Sequence, residues 1–422
     1  MDANDLGRRV REDSPGRQMA PPPAQLPDDL IYVGILPRLP FRSLVRFAVA
    51  CKVWHRLILG DPAFARAQAR SPSPASAVLA RYHRGRLDIL TPGASAVAPP
   101  DASLSFLPFA GAKLRFCSAT SGLLCLIVNP TVGGVTFFVV NPATRAFRAV
   151  PYPYAAEDGR RACLAYDPSM VHRKGYSIVV PVKETLETCR FWSFSSAVAT
   201  SSGGCVWRVS GPEVRLTPCD FVRSKPLYLG GRAHWLCDLG GVVWHDAGAD
   251  TVGALPPPFW LLAGGGRCVE GNRELVAWHG RIGMVYAGIS SGLAVWALPL
   301  SSSSSPTQWE MVHCRQWDEI PGVPRPTSRR FLWSVVPAGM EGGGEKALGL
   351  AVRTAHGPRR HKQQHGVDGA GRAAEEDVWC RQLLRYDMRT GATAVVAELV
   401  GKEVHDDFGA VFGYHSSMAP LN

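Results

Sequence analysis

His361 and His365 stand four residues apart, a spacing that on a helix would put two imidazoles on one face as zinc ligands. HKQQH lacks the glutamate of a metalloprotease helix, however, and lies in a Gly- and Arg-rich stretch. No third ligand is near, since Cys380 follows an acidic run, so solvated loop histidines are expected. His234 and Asp238 form a second pair. In a strand they share a face and could hydrogen-bond. A catalytic base needs a positioned acid or nucleophile beside it, and only Asp238 is close, so a buried structural pair is the expectation. Neither a G-x-S-x-G elbow nor a G-x-x-x-x-G-K-S/T phosphate loop occurs. GGGRCVEG at 264–271 has glycines without a following helical pattern or lysine and reads as a loop. The chain has eleven cysteines, scattered and without a CxxC pair. Cys125 in GLLCLIV and Cys237 in HWLCDL read as small core hydrophobes kept reduced. The residues point to no catalytic group, no metal and no cofactor.

The informative chemistry is apolar. Residues 26–64, LPDDLIYVGILPRLPFRSLVRFAVACKVWHRLILGDPAF, carry three short helical patterns. Pro27 suits a first helical turn, and Asp28 and Asp29 complement the positive end of its dipole. Leu30, Ile31, Val33 and Ile35 recur at helical spacing until Pro37 and Pro40 break the pattern. Ser43 is placed to cap a second helix carrying Leu44, Phe47, Ala48 and Cys51 on one stripe. Val53, Trp54, Leu57 and Ile58 make a third set, stopped at Gly60-Asp61-Pro62. About forty residues cannot bury this many large apolar groups internally. Some must face a partner.

The order L-P-x-x-L, I-L-x-R-L-P, S-L-x-R-F, C-K-x-W-x-x-L-I and D-P-x-F resembles an F-box along the whole segment. The resemblance implies docking on the Skp-type adaptor of a cullin–RING ubiquitin ligase. Leu26, Pro27, Leu30, Ile35, Leu36, Leu39, Pro40, Leu44, Phe47, Cys51 and Trp54 match the family's apolar contact pattern. Some of them hold the helices together, and sequence does not sort which.

A chain of 422 residues with 46% hydrophobic and 19% charged residues suits a docking module plus one large globular domain. No apolar run nears the roughly 20 residues a bilayer span needs. The first nineteen residues, charged throughout, lack the apolar core of a secretory signal. The expected compartment is cytoplasm or nucleus. The net charge of +11 is spread, not striped. Charges in residues 1–24 cancel, and those around 356–377 nearly do. The helical segment is the basic piece, with Arg38, Arg42, Arg46, Lys52, Arg56, Arg66 and Arg70 against Asp28, Asp29 and Asp61. A positive field there would draw an acidic adaptor surface. Elsewhere, isolated arginines without stacking aromatics argue against nucleic acid.

Beyond Ser71, short apolar stretches alternate with Gly, Pro, Asn and Asp, the mark of many strands. The stretches repeat. GLLCLIV precedes FFVVNPATRAFRAVP; GRAHWLC precedes VVWHDAGADTVGALP. GRIGMVY precedes LAVWALPL, and ALGLAVR precedes QLLRYDMRTGATAVVAEL. In NPATR, Asn141 can bond its own backbone, Pro142 fixes φ and Thr144 can bond locally, so the chain is expected to reverse before Phe147, with Asp387 and Gly391 doing the equivalent in YDMRTG. A period of about 50 residues is typical of propeller blades. Trp192, Trp207, Trp235, Trp244, Trp296 and Trp309 then read as packing between blades. VVNPATRAFRAVP, LAYDPS, PLYLGGRAHWL and ELVAWHGRIGMVY resemble the F-box-associated domain of plant F-box proteins, which is similar to a kelch-type β-propeller.

The fold expected is α+β multidomain. A tail at 1–24 precedes a three-helix F-box at 25–66, a linker at 67–77 and a mostly-β propeller-like repeat domain at 78–422. Flexible insertions fall near 301–306 and 354–377. The function this implies is a non-catalytic substrate receptor, with Phe259, Trp260 and Trp317 as exposed-looking loop aromatics on the target-binding rim. Two alternatives stay open: an F-box scaffold outside any ligase, and a propeller enzyme, which would need clustered acidic or metal-binding residues.

Overall fold

A computed structural model describes residues 26–71, 77–81, 87–90, 104, 106–108, 114–128, 135–153, 159–169, 175–185, 187–197, 206–216, 221, 225–238, 240–258, 271–288, 291–299, 308–323, 332–337, 347–355, 379–401, 409–414 and 417–421. The helical part comes first. A turn at Leu30–Ile35 is wound wide, the Leu36 N–H reaching back five residues to the Ile31 carbonyl, and a tight turn Leu36–Arg38 follows. Helices α1 (Phe41–Ala48), α2 (Lys52–Gly60) and α3 (Pro62–Arg70) complete it. The third helix runs to Arg70 with Gln68 and Ala69 buried, into the stretch expected to be linker.

Among the described residues the strands that follow all pair antiparallel. Strands β1 (Ala77–Arg81) and β2 (Leu87–Leu90) pair with each other. Four-stranded sheets then follow in chain order. The first holds β3 (Leu114–Thr120), β4 (Leu123–Val128), β5 (Val135–Asn141) and β6 (Ala146–Tyr152). The second holds β7 (Cys163–Ala165), β8 (Ser177–Lys183), β9 (Thr188–Ser195) and β10 (Trp207–Arg215). The third is β11 (Leu227–Leu229), β12 (Arg232–Leu236), β13 (Val242–Asp246) and β14 (Thr251–Leu255). The fourth is β15 (Gly271–Trp278), β16 (Arg281–Gly288), β17 (Gly292–Ala297) and β18 (Glu310–Arg315). The fifth is β19 (Leu332–Pro337), β20 (Ala347–Ala355), β21 (Trp379–Asp387) and β22 (Thr393–Gly401). Strand β23 (Gly409–Tyr414) returns to pair with β1, Val78 opposite Gly413, so a strand from near the chain's end shares a sheet with one from its beginning. The leading strands β3, β7, β11, β15, β19 and β23 are neighbours in that cyclic order, with β23 against β3.

Turn chemistry explains the repetition. Ser121-Gly122, Gly230-Gly231 and His279-Gly280 all have positive φ, and each pair joins the first two strands of a sheet. Two consecutive left-handed residues make the hairpin turn whose twist suits the flanking strands, and glycine adopts that conformation freely. Gly122, Gly231 and Gly280 therefore open three of the repeated motifs. The third connection repeats as well. Asn141 Oδ1 accepts from the Ala143 and Thr144 N–H groups at 3.0 and 3.3 Å. Asp246 Oδ1 does the same for Gly248 and Ala249, and Asp387 for Arg389 and Thr390. Four residues on, Arg145, Asp250 and Gly391 each have positive φ and complete the reversal.

Apolar faces meet between neighbouring sheets, as in the core of Ile127, Phe137, Val139, Ile178, Val180 and Phe194 shared by the first two. Three expected tryptophans bridge sheets by hydrogen bonds. Trp207 Nε1 donates to the Pro151 carbonyl at 2.7 Å, Trp235 to Arg161 at 2.7 Å and Trp309 to Pro256 at 2.8 Å. Trp244 instead lies within its own sheet, under the Arg232 guanidinium at 4.2 Å and against Gly253, where any Cβ would clash. No helix among the described residues is long and apolar enough to cross a membrane.

The 1–24 tail, Phe259, Trp260, the 301–306 insertion, and His361 and His365 all lie outside the described residues, as does 356–377 of the second insertion. Thr354 and Ala355, expected at that insertion's start, instead finish β20.

Candidate docking face on the helical unit

The helical unit is built from local signals. The Ile31 N–H donates to the Pro27 carbonyl at 3.2 Å, so Pro27 does open the first turn. Helix α1 begins at Phe41 after Pro40, one turn earlier than a Ser43 cap would set it. Ser43 sits inside the first turn, its N–H bonded to the Pro40 carbonyl at 2.9 Å. Cys51 caps α2, its sulfur accepting from the Trp54 N–H at 3.4 Å. Asp61 caps α3 by accepting from Ala63 at 2.7 Å, with Pro62 in the first helical position.

These turns bring one face of each helix inward. Leu36, Leu44, Ala48, Ile58 and Phe64 are buried together, and Met418 from the other end of the chain joins them. The structure therefore sorts the matched positions. Leu36 and Leu44 are interior residues that hold the helices together; Leu44 has no exposed surface. Leu39 and Trp54 are partly buried against that core, and Trp54 meets Phe47 edge-on with ring centres 5.3 Å apart. Leu26, Pro27, Leu30, Ile35, Pro40, Phe47 and Cys51 are exposed.

Exposure also adds residues beyond the matched set. Val33 is 76% and Val49 82% exposed, and Val45, Val53 and Leu59 stand out too. The helical spacing of Val33 and Val53 was the visible signal. Val49 lies in the turn after α1, where no periodicity marks it. Arg38, Arg46, Lys52 and Arg56 are exposed on the same unit, with Asp28 and Asp29 at its start. This arrangement offers an apolar surface with a positive surround.

The other candidate chemistry proves structural. His234 Nδ1 lies 3.2 Å from the Leu227 carbonyl, so its partner is backbone and not Asp238. Asp238 falls beyond the end of β12, off the strand face that spacing assigned it. Burial pushes the His234 imidazole down to about 4. A Ser, His and Asp do meet between β10 and the third sheet. His245 Nε2 is 2.9 Å from Ser210 Oγ, and that hydroxyl donates to Asp250. Both Ser210 and His245 are wholly buried, and His245 Nδ1 has no hydrogen-bond partner among the described residues. A nucleophilic triad needs the carboxylate on Nδ1 and an accessible hydroxyl. This cluster joins two sheets instead. Trp317 is 3% exposed, packed with Trp278, Leu293 and Tyr386, its indole N–H donating to the Gly288 carbonyl at 2.7 Å. It is a core residue, not the exposed rim aromatic expected. No group of three or more metal-binding side chains occurs among the described residues.

A helical unit with a leftover apolar face, followed by four-stranded antiparallel sheets, is the class the fold defines. No protein-family model matches the chain. Over 233 residues, 51% of this chain and 54% of the relative, it is 28% identical to a protein described as an F-box protein from Arabidopsis thaliana. A second Arabidopsis F-box protein is 32% identical over 128 residues, 30% of this chain and 33% of that one. The matches thus span about half and a third of these relatives. Both support an F-box protein of plants. Two solved structures align weakly. A Mycobacterium tuberculosis puromycin-hydrolyzing peptidase shares 12% identity over 75% of this chain and 42% of its own, with a TM-score of 0.34. A DUF4784 family protein from Bacteroides caccae shares 9% over 81% and 74%, with a TM-score of 0.37. Likeness at that level carries no argument.

Proposed function

We propose that this chain is a substrate receptor of an SCF-type cullin–RING ubiquitin ligase. In this reading residues 25–66 are an F-box that docks on a Skp-type adaptor, and the sheets that follow form a kelch-like β-propeller that holds a target protein. The protein works in the cytoplasm or nucleus and itself makes and breaks no bonds. Its contribution is proximity: a target lysine held near a loaded ubiquitin-conjugating enzyme meets it at raised effective concentration.

The observation that carries the docking reading is the exposed apolar face of a unit whose own core is already filled. Leu30, Val33, Ile35, Phe47 and Val49 stay in water although Leu44 and Ile58 of the same unit are fully enclosed. Burying a Leu, Val or Phe side chain is worth about 1.5–3 kcal/mol. These five are between 37% and 82% exposed, so covering their open surface gives a gross gain on the order of 5 kcal/mol, within the range of the cost of association. The propeller reading is supported by the cyclic order of the leading strands and by the sheet that pairs β1 with β23. Closing a ring in that way leaves only short edges open.

The test is a Leu30→Ala/Phe47→Ala double variant of the full chain, assayed for co-purification with the adaptor. Adaptor recovery should fall at least tenfold while the circular dichroism of the folded protein is retained. Undiminished recovery would sink the docking reading. Proximity labelling with a form lacking residues 26–70 would then identify targets that the ligase no longer destroys.

A further inference from the structure

Asn141, Asp246 and Asp387 hold the same place in three repeated turns, and each accepts two backbone N–H groups through one side-chain oxygen. A carboxylate serves that purpose at 246 and 387, so the amide at 141 is not needed for the turn. Its second function is visible. Asn141 is wholly buried, and Nδ2 donates to the carbonyls of Ser417 and Ala419 at 3.0 and 2.9 Å. The reversed amide would set donor against donor and acceptor against acceptor, so the orientation is determined by its partners.

The segment so gripped, residues 417–421, lies between the two parts of the molecule. The Met418 N–H donates to Gln68 Oε1 at 2.8 Å, on a glutamine of α3 that is itself buried. The Met418 side chain completes the core of the helical unit, beside Leu36, Leu44 and Phe64. Its neighbour Ala419 sits in the core of the first two sheets together with Ala69 of α3. Ser417 Oγ donates to the Ser121 carbonyl in the β3–β4 turn. Successive residues thus serve opposite sides, and backbone groups of both are held by buried amides.

We propose that Ser417–Leu421 is an intramolecular strap that locks the helical unit at one angle to the sheets, and that Asn141 is asparagine because its amide hydrogens hold that strap. The strap goes beyond the receptor reading. Only its consequence rests on that reading: in a ligase, a fixed angle would set where a bound target stands relative to the ubiquitin donor.

Asn141→Asp separates the two functions of this residue. It keeps the turn acceptor used naturally at 246 and 387 and turns a carboxylate toward two carbonyl oxygens. Fluorophores on non-natural residues at the exposed positions Arg56 and Arg215 of the full chain would report the angle by single-molecule energy transfer. The parent should give one narrow peak, as should the control Asp246→Asn. Asn141→Asp should broaden the peak at least twofold with sheet content unchanged. A chain ending at Tyr414 should broaden likewise, and a synthetic peptide of residues 415–422 should narrow it again. A narrow, unshifted peak in folded Asn141→Asp overturns the strap. If that variant folds poorly, Met418→Ser in the full chain takes its place, and an unbroadened peak there overturns it equally. Adaptor co-purification is scored separately on the parent, so failure of docking and failure of the strap give different results.

Discussion

All six residues of β4, Leu123–Val128, are buried, whereas in the helical unit Val33 and Val49 stand more than three-quarters exposed. Both regions are rich in Leu, Val and Ile. The difference lies in what each has to lean on. A strand in the sheets has a hydrogen-bonded neighbour on its flank and the face of another sheet against it, so even a continuous apolar run finds cover. Three helices of eight or nine residues have one small interior, which five side chains and Met418 fill. The apolar surface that remains is left open, and the proposed docking reading rests on that difference.

The sharpest way to break this comparison is to remove one aromatic from the scaffold. Phe191 on β9 has no exposed surface and packs against Trp235 at 5.2 Å and His245 at 5.1 Å between ring centres. Phe191→Ala should cost about 3–5 kcal/mol, as for other buried aromatics. Urea unfolding followed by tryptophan fluorescence measures it. A loss no larger than that of Phe47→Ala, a residue 37% exposed, would mean that the sheets are not packed as described.

The same division governs what sequence could reveal. Strand-rich repeats and the Asn141 and Asp387 turns were legible, because turns depend on a few local residues. The second sheet was harder to see. Residues 196–206, between β9 and β10, hold no Asn or Asp, and the sheet's first strand is only three residues long. Pairing of β1 with β23 was invisible, since nothing local in AVLAR or GAVFGY records a partner more than three hundred residues away. The apolar pattern of the helices was legible, Val49 in the turn after α1 excepted, but its sorting was not. Leu44 and Phe47 occupy one expected stripe, yet the first is enclosed and the second open, because Met418 and α3 cover only one side. Trp317 misled for the opposite reason: it sits in a short turn between strands, and the core it fills comes from two neighbouring sheets.

Acid should act on the scaffold and not on the helices. His234 and His245 are both buried, and desolvation pushes each from 6.5 down to about 4. Folded, they are neutral through mildly acidic pH; unfolded, they bind protons below about 6.5. Stability from this source is complete above pH 6.5 and is lost progressively as pH falls toward 4, by up to roughly 3 kcal/mol per histidine. The only histidine in the helical unit, His55, is exposed. Urea midpoints measured from pH 7 to pH 4.5 should therefore fall for the sheet signal, and His245→Gln should flatten that slope. An equal slope in the variant would remove His245 from the account.

The smallest expected effect on folding belongs to the most exposed apolar residue. Val49 follows α1, touches none of the buried core and stands 82% exposed. A surface substitution away from caps and cores ordinarily moves stability by no more than about 0.5 kcal/mol in either direction. Val49→Ser should accordingly leave the urea midpoint unchanged. In a pull-down with the adaptor it should still weaken binding severalfold, because a methyl pair that contributes nothing to the fold is free to contribute to a contact. If Val49→Ser lowered stability by as much as Phe191→Ala, the apolar face would be part of the protein's own core. If it left both stability and binding untouched, the contact surface would have to be drawn around Leu30, Ile35 and Phe47 without it.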